Sequence, residues 1–329
     1  MVITQTPLRI SFAGGGTDLR QFYEDRAGEV VSCAIDKYVF VIIKERFDDR
    51  IVLNYSRNET VDNVEQIKHE LIRCAMVVTG IDKGVEISTL ADIPSEGSGL
   101  GSSSSLTVGL LNAFYMFQGE QVTAERLASE ACKIEIELCR KPIGKQDQYI
   151  AAYGSMRHFT FHSDDRVDVH KIPISDAAFR RFAQNLMLFY TNRTRSSSDI
   201  LTAQRANTKS RRAILEAMLP LVGRIQQFLL DGEFDEIGYA LHEGWELKKQ
   251  MMEKISDGGI DEIYDSARAA GALGGKITGA GGGGFLLLYV PFEKQDAVRT
   301  ALSELYELPF FLERDGSKVI FNLKRYPFK

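Results

Sequence analysis

The stretch Gly97-Ser98-Gly99-Leu100-Gly101-Ser102-Ser103-Ser104-Ser105 is followed at once by Leu106, Leu110, Leu111 and Phe114. That apolar spacing predicts a helix from about Ser104 to Phe117. The loop therefore lies at a helix N-terminus, where unpaired N–H groups and about half a positive charge favour a phosphate. Glycines clear side chains from that approach. Serine hydroxyls add donors, and one of them can ligate magnesium. The bland alternative is a flexible Gly/Ser linker. The strong helix pattern directly behind the loop counts against it. No Gly-Lys-Ser/Thr closes the loop, so it is not a Walker A sequence.

Two more glycine-rich segments flank this one at a distance. Upstream, Leu8-Arg9-Ile10-Ser11-Phe12 reads as a strand that ends at Gly14-Gly15-Gly16-Thr17-Asp18. Two readings of Asp18 stand: it accepts hydrogen bonds from a polyhydroxylated ligand, or it caps the next helix. Downstream, Gly274 to Gly284 holds seven glycines in eleven residues and runs into the apolar strand Phe285–Val290. The element after it is a strand, which argues against a dinucleotide-binding turn. Backbone packed closely against a ligand or against another loop is the better reading.

The 329 residues suffice for one large or two ordinary domains, with 44% apolar and 26% charged residues. The net charge of −5 gives no basic field for nucleic acid. The local cluster Arg205, Lys209, Arg211, Arg212 reads as a solvated helix face. Cys33, Cys74, Cys132 and Cys139 form no C-x-x-C pair and fit a reducing compartment. The N-terminus does not read as a signal peptide, and no run of about 18 apolar residues occurs. The cytoplasm is the expected location, with no membrane partner. None of the five histidines has metal-like spacing.

Strands are expected at 8–12, 38–44, 51–55, 85–89, 186–190 and 285–290, with two more at the C-terminus. Helices are expected at 62–79, 197–230, 235–255, 260–270 and 293–305, with Pro220 kinking or splitting the second. A further helix is capped by Thr123, with Leu127, Ala131, Ile134 and Leu138 as its core face. Trp245, at helical spacing from Leu241, reads as core. The class is α+β in two lobes, with a boundary near 175–185: residues 1–180, then 181–329.

The three glycine-rich segments, in this order and at these separations, closely resemble the three motifs of the GHMP kinase superfamily. The resemblance runs from Pro7 to Gly284. The phrases AGGGTDL, GLGSSSSLTVGLLNAF, PIGKQDQYIAAYG and GALGGKITGAGGGGF bring it nearest to bacterial kinases of D-glycero-D-manno-heptose 7-phosphate. It implies a ribosomal-S5-like N-terminal domain and a ferredoxin-like C-terminal domain. The implied reaction is phosphoryl transfer from ATP, with Mg²⁺, to a hydroxyl of a small sugar or sugar phosphate. The oligomeric state is left open, a homodimer included.

The resemblance also assigns residues. Gly97, Gly99, Leu100, Gly101, Ser102, Ser103, Ser104 and Ser105 would wrap the triphosphate. Ser103 would help hold Mg²⁺ with a carboxylate from a preceding helix, Glu135 or Glu137; counting back from Pro142 favours Glu135. Asp147 is the candidate base, although orienting the hydroxyl or capping a helix are alternatives. Lys145 would stabilise charge on the transferring group, and Arg9 would stand beside Asp147. Lys276 and Thr278 would support the phosphate loop, or Lys276 would pair with a carboxylate. Gly15, Gly16, Thr17 and Asp18 would select the acceptor. Arg193 and Arg195, after a strand and ahead of a helix, would suit a sugar phosphate or are ordinary surface residues. Gly15-Gly16 stands where galactokinases carry Glu-His, which counts against galactose. Alternatives are another enzyme of the superfamily, such as a mevalonate-pathway kinase, or a non-catalytic sugar and nucleotide sensor.

Overall fold

A computed structural model describes residues 1–93, 97–193, 202, 211–251 and 258–323. Among them, two sheets carry the architecture. The first holds β1 (Val2–Ala13), β2 (Gly28–Glu45), β3 (Ile51–Asn54), β4 (Asn58–Val61), β5 (Val85–Ala91), β6 (Met156–Phe161), β7 (Val167–Lys171) and β12 (Lys318–Asn322). β2 is long enough to pair with β6 through its first half and with β5 through its second. The second sheet has the order β11-β8-β10-β9, built from β8 (Leu186–Tyr190), β9 (Gly274–Ile277), β10 (Phe285–Tyr289) and β11 (Tyr306–Glu307). All its pairings are antiparallel, and helices separate β8 from β9 and β10 from β11, as in a ferredoxin-like domain.

β1 sets the position of everything functional. Its register against β2 shifts after Pro7, where proline has no N–H for the ladder. Beyond the shift, Leu8, Ile10 and Phe12 point into a core shared with Phe182, Ile225, Leu241 and Phe285. Strand alternation then puts Arg9 and Ser11 on the opposite face. That face opens on a cleft.

The helix α1 (Arg20–Tyr23) is one turn; α2 (Glu70–Thr79) starts later than the expected residue 62, after a short turn at Val64–Gln66. α3 (Ser102–Gln118) lies on β1 at Gly109, where any Cβ would stand 2.8 Å from Thr6 Oγ1. Thr4 Oγ1 donates to the Gly109 carbonyl at 3.0 Å and Ser105 Oγ to that of Pro7 at 2.7 Å. This contact aims the N-terminus of α3 at Arg9. α4 (Ala124–Cys132) is capped by Thr123, as expected, and continues as a π-helix over Lys133–Leu138. α5 (Gln146–Tyr153) and α6 (Asp176–Gln184) complete the first lobe.

The second lobe adds α7 (Arg212–Asp231), α8 (Phe234–Lys249), α9 (Gly258–Ala269) and α10 (Gln295–Ala301). α7 runs unbroken through Pro220, so the expected split does not occur. By length and composition α7 is apolar enough to cross a membrane, yet Leu215, Met218, Leu221, Val222, Ile225 and Leu229 are buried within the protein. Trp245 is fully buried. The last strand departs from the expected partition: β12 pairs with β1 in the first sheet. It covers the backbone edge that Val2–Gln5 would otherwise leave open.

Candidate active site

Arg9 and Asp147 form the centre of the cleft. Arg9 Nε donates to Asp147 Oδ1 at 2.7 Å and Nη2 to Oδ2 at 2.6 Å, a two-point pair of the strong kind. Arg9 Nη1 donates to the Gly99 carbonyl. Each Asp147 oxygen keeps a second lone pair for a ligand hydroxyl. Asp147 lies in the first turn of α5.

The glycine–serine loop abuts this pair. A Cβ on Gly101 would stand 3.2 Å from Arg9 Cγ and 3.3 Å from Asp147 Oδ2. Gly97, Gly99 and Gly101 all have positive φ, between 69° and 79°, which side-chain-bearing residues rarely adopt. Gly101 closes the N-terminus of α3 with no side-chain cap, leaving its N–H groups for an anion. The third glycine segment backs the loop. Thr278 Oγ1 donates to the Ser98 carbonyl at 3.2 Å, and a Cβ on Gly279 would lie 2.6 Å from Gly99 Cα. Two expected loop contacts have other roles. Leu100 sends its side chain into the core, and the Ser105 hydroxyl is taken by Pro7. Their backbone is engaged too: the Leu100 carbonyl accepts from Arg9 N–H and the Ser105 N–H donates to the Gly101 carbonyl, both at 3.0 Å.

The π-helix sets Glu135 apart from Glu137. An α-helical wheel gives Leu138 a core position and leaves both glutamates at the flank. The wider turn, marked by Cys139 N–H on the Ile134 carbonyl at 2.9 Å, rotates the residues at its C-terminal end. Leu138 is 46% exposed, and Glu135 is fully buried. Glu135 Oε1 accepts from Ser103 Oγ at 2.6 Å, and Oε2 accepts from Ser104 Oγ at 2.6 Å and Gln148 Nε2 at 2.7 Å. Lys141 Nζ stands 2.8 Å from Ser103 Oγ and 3.5 Å from Glu135. A hard cation takes oxygen donors of this kind. Two hydroxyls around one buried carboxylate, with an ammonium already drawn to them, fit magnesium. No cluster of three His, Cys, Asp or Glu occurs among the described residues, so protein carboxylates alone do not build a metal cage there.

On the acceptor side, Gly15, Gly16 and Asp18 line the cleft with Ser11, Gly144 and Gln146. Asp18 Oδ1 accepts from Gly16 N–H at 2.9 Å and Oδ2 from Gln146 N–H at 3.2 Å. It thus caps α5 rather than the α1 helix that comes after it. Burial is the main reason its carboxyl pKa is raised; the nearby Asp147 charge adds to that. Thr17 does not reach the cleft. Its hydroxyl is spent on the Gly14 and Glu29 carbonyls, at 2.8 and 2.9 Å, so direct acceptor contact is corrected to a structural role. Sequence reasoning missed Ser11 and Gln146. Their Oγ and Oε1 are buried without a partner. Strand alternation from Arg9 was the available signal for Ser11.

Two expected basic residues lie elsewhere. Lys145 turns away from Asp147: its Nζ holds Asp165 Oδ1 at 2.8 Å and sits 4.9 Å above the Tyr23 ring, in a neighbouring cavity. Arg193 is not among the cleft residues; its guanidinium packs on Gly259 at the start of α9. Arg195 lies outside the described residues, as do Arg205 and Lys209. In their place the cleft holds Lys248 and Lys276. Lys248 was overlooked, although Leu241, Trp245 and Lys248 share one helical face.

Comparisons with known proteins identify the family. The model of the GHMP kinases N terminal domain matches residues 59–155, and that of the GHMP kinases C terminal domain matches 225–308. The chain is 30% identical to D-glycero-alpha-D-manno-heptose 7-phosphate kinase of Campylobacter jejuni, over 96% of this chain and 97% of that one. It is 25% identical to mevalonate kinase of Thermococcus sibiricus, over 83% and 80%. Among solved structures, a D-glycero-D-manno-heptose 1-phosphate kinase from Bacteroides thetaiotaomicron superposes with a TM-score of 0.83 at 25% identity, over 98% of this chain and 100% of that one. Motif order, two-sheet architecture and these matches agree: the chain belongs to the GHMP kinase family.

Proposed function

We propose that this kinase transfers the γ-phosphoryl group of ATP to a hydroxyl of a sugar phosphate, D-glycero-D-manno-heptose 7-phosphate, giving the 1,7-bisphosphate. The observation that carries the reading is the wall of polar groups around Asp147. Ser11 Oγ and Gln146 Oε1 are buried and unpartnered, and the Asp18 carboxylate lines the same cleft. Buried polar groups without partners are costly unless a ligand satisfies them, and a polyol does so. A mevalonate keeps only one further hydroxyl beside the reacting one, and so offers these groups fewer donors than a sugar does.

The residues divide the work. Backbone N–H groups of Gly97–Ser104 and the α3 N-terminus hold the triphosphate. Ser103 and Glu135 would hold magnesium, which would neutralise phosphate charge when bound. Arg9 fixes the Asp147 carboxylate by two bonds, so it is orientated before the acceptor arrives. Asp147 takes the proton of the acceptor hydroxyl as its oxygen bonds to the γ-phosphorus. The bond from that phosphorus to the bridging oxygen breaks, and ADP leaves with the electron pair. Gly101, in contact with both Arg9 and Asp147, keeps donor and acceptor adjacent.

An ADP-release assay over heptose 7-phosphate, hexose phosphates, free sugars and mevalonates tests the reading. Turnover of the heptose phosphate above the others is expected. Turnover of a mevalonate with no sugar active would reject it, and ATP binding with no acceptor turned over would favour a sensor.

A further inference from the structure

Lys248 and Lys276 have no part in the phosphoryl transfer just derived. Both line the cleft, each only 7% exposed. Lys248 projects from the buried face of α8, after Leu241 and Trp245, and its Nζ donates to the Gly279 carbonyl at 2.6 Å. Lys276 stands on β9. Among the described residues its ammonium makes no hydrogen bond and no ion pair. Burying an ammonium without a counter-charge is among the most expensive things a fold does.

The surroundings make the cost worse. Burial lowers both lysine pKa values, and each is lowered further by the Arg9 charge; Lys276 also feels Lys248. Arg9 is answered by Asp147 through two bonds. Asp18 offsets Lys276 only as the smallest influence on it. Among the described residues, two lysines whose charged forms lack a counter-charge therefore share one wall, with a carbonyl oxygen as the sole bonded partner. The missing partner is an anion of about two charges, which is what a phosphate monoester carries at neutral pH.

Two phosphates are candidates for that partner: the γ-phosphate of the donor and a phosphate on the acceptor. None of residues 97–105 lines the cleft in which the lysines stand, whereas Ser11, Gly15, Gly16 and Asp18 do. The lysines thus share a cleft with the residues assigned to the acceptor. We propose that Lys248 and Lys276 are the anion subsite for the phosphate that the acceptor sugar already carries. This rests on the reading of the cleft as an acceptor site, and it makes the enzyme select phosphorylated over free sugars.

The test combines binding and kinetics. Thermal unfolding is followed with and without inorganic phosphate for wild type, Lys276→Met and Lys248→Met. Lys276→Met, relieved of an unpaired charge, is expected to start with a higher Tm and to lose the phosphate-induced rise seen in wild type. Lys276→Gln provides the same comparison should the Met variant not fold. In steady state, the kcat/KM preference for heptose 7-phosphate over unphosphorylated heptose is expected to fall about 30-fold or more in each variant. A phosphate response identical to wild type overturns the inference. So does a raised KM for ATP with the acceptor preference intact, which would assign the lysines to the donor. Equal turnover of free and phosphorylated sugar by wild type overturns the inference and leaves the kinase reading standing. No turnover of any sugar rejects the kinase reading, and the acceptor assignment with it.

Discussion

Asp147 is held at both carboxylate oxygens by Arg9, and that geometry separates two roles. Asp147→Asn keeps the size but donates where the carboxylate accepts, and it loses the ion pair. It is expected to lower kcat by about 10²–10⁴, the usual worth of a positioned base. ATP affinity should change little, because the loop's backbone carries it. Measured kcat near wild type would remove Asp147 from proton transfer and leave it an orienting group. At this scale much was legible. Arg9, Asp18, Ser103 and Asp147 were named from motif and order, and the structure gathers them around one cleft and its phosphate loop. Thr17, Lys145 and Arg193 were misjudged because a sequence shows residue type and not direction. The Thr17 hydroxyl goes to backbone carbonyls, Lys145 pairs with Asp165, and the Arg193 guanidinium packs on Gly259 at the start of α9. Lys248 is the opposite case. A lysine in register with Leu241 and Trp245 breaks the apolar face, and that break is itself a signal.

Among the elements, the π-helix and the turn before α5 do the placing. An α-helical reading of 124–138 predicts the wrong buried face by the end, because one wide turn brings Glu135 inward and Leu138 outward. Nothing in the local propensities announces that turn. Strands β6 and β7 escaped notice for a different reason: Met156–Phe161 breaks its alternation at Arg157-His158, and Val167–Lys171 alternates over only five residues. β9 was hidden inside a glycine-rich run. The turn before α5 depends on Gly144, where a Cβ would stand 2.0 Å from Asp18 Oδ2. Gly144→Ala is therefore expected to push Asp18 off the Gln146 N–H. Tm should fall by several degrees, consistent with a loss of about 1–3 kcal/mol, and the acceptor KM should rise. Unchanged Tm and KM would mean that the turn relaxes without Asp18.

For the molecule as a whole, the cleft is a place where stability is given up for function. The Lys248 pKa is pushed down to about 8, chiefly by burial and then by Arg9. An unfolded lysine titrates near 10.4. Between those values the unfolded chain binds more protons than the folded one, so stability of the ligand-free protein rises with pH across that window. Urea titrations from about pH 8 to pH 10 should show this rise, of order 2 kcal/mol, relative to Lys248→Met. A difference that is flat with pH would mean that Lys248 is solvated. The two-lobe plan was legible through the three glycine segments, while the return of β12 to β1 was not, since pairing between residues more than three hundred apart leaves no local mark. The central claim remains that this cleft phosphorylates a sugar phosphate. Its most direct test is ³¹P NMR of the enzyme with ATP, Mg²⁺ and D-glycero-D-manno-heptose 7-phosphate. A second phosphate resonance on the sugar, growing in step with ADP, is predicted; ADP formation with no new sugar phosphate, or none at all, would contradict it.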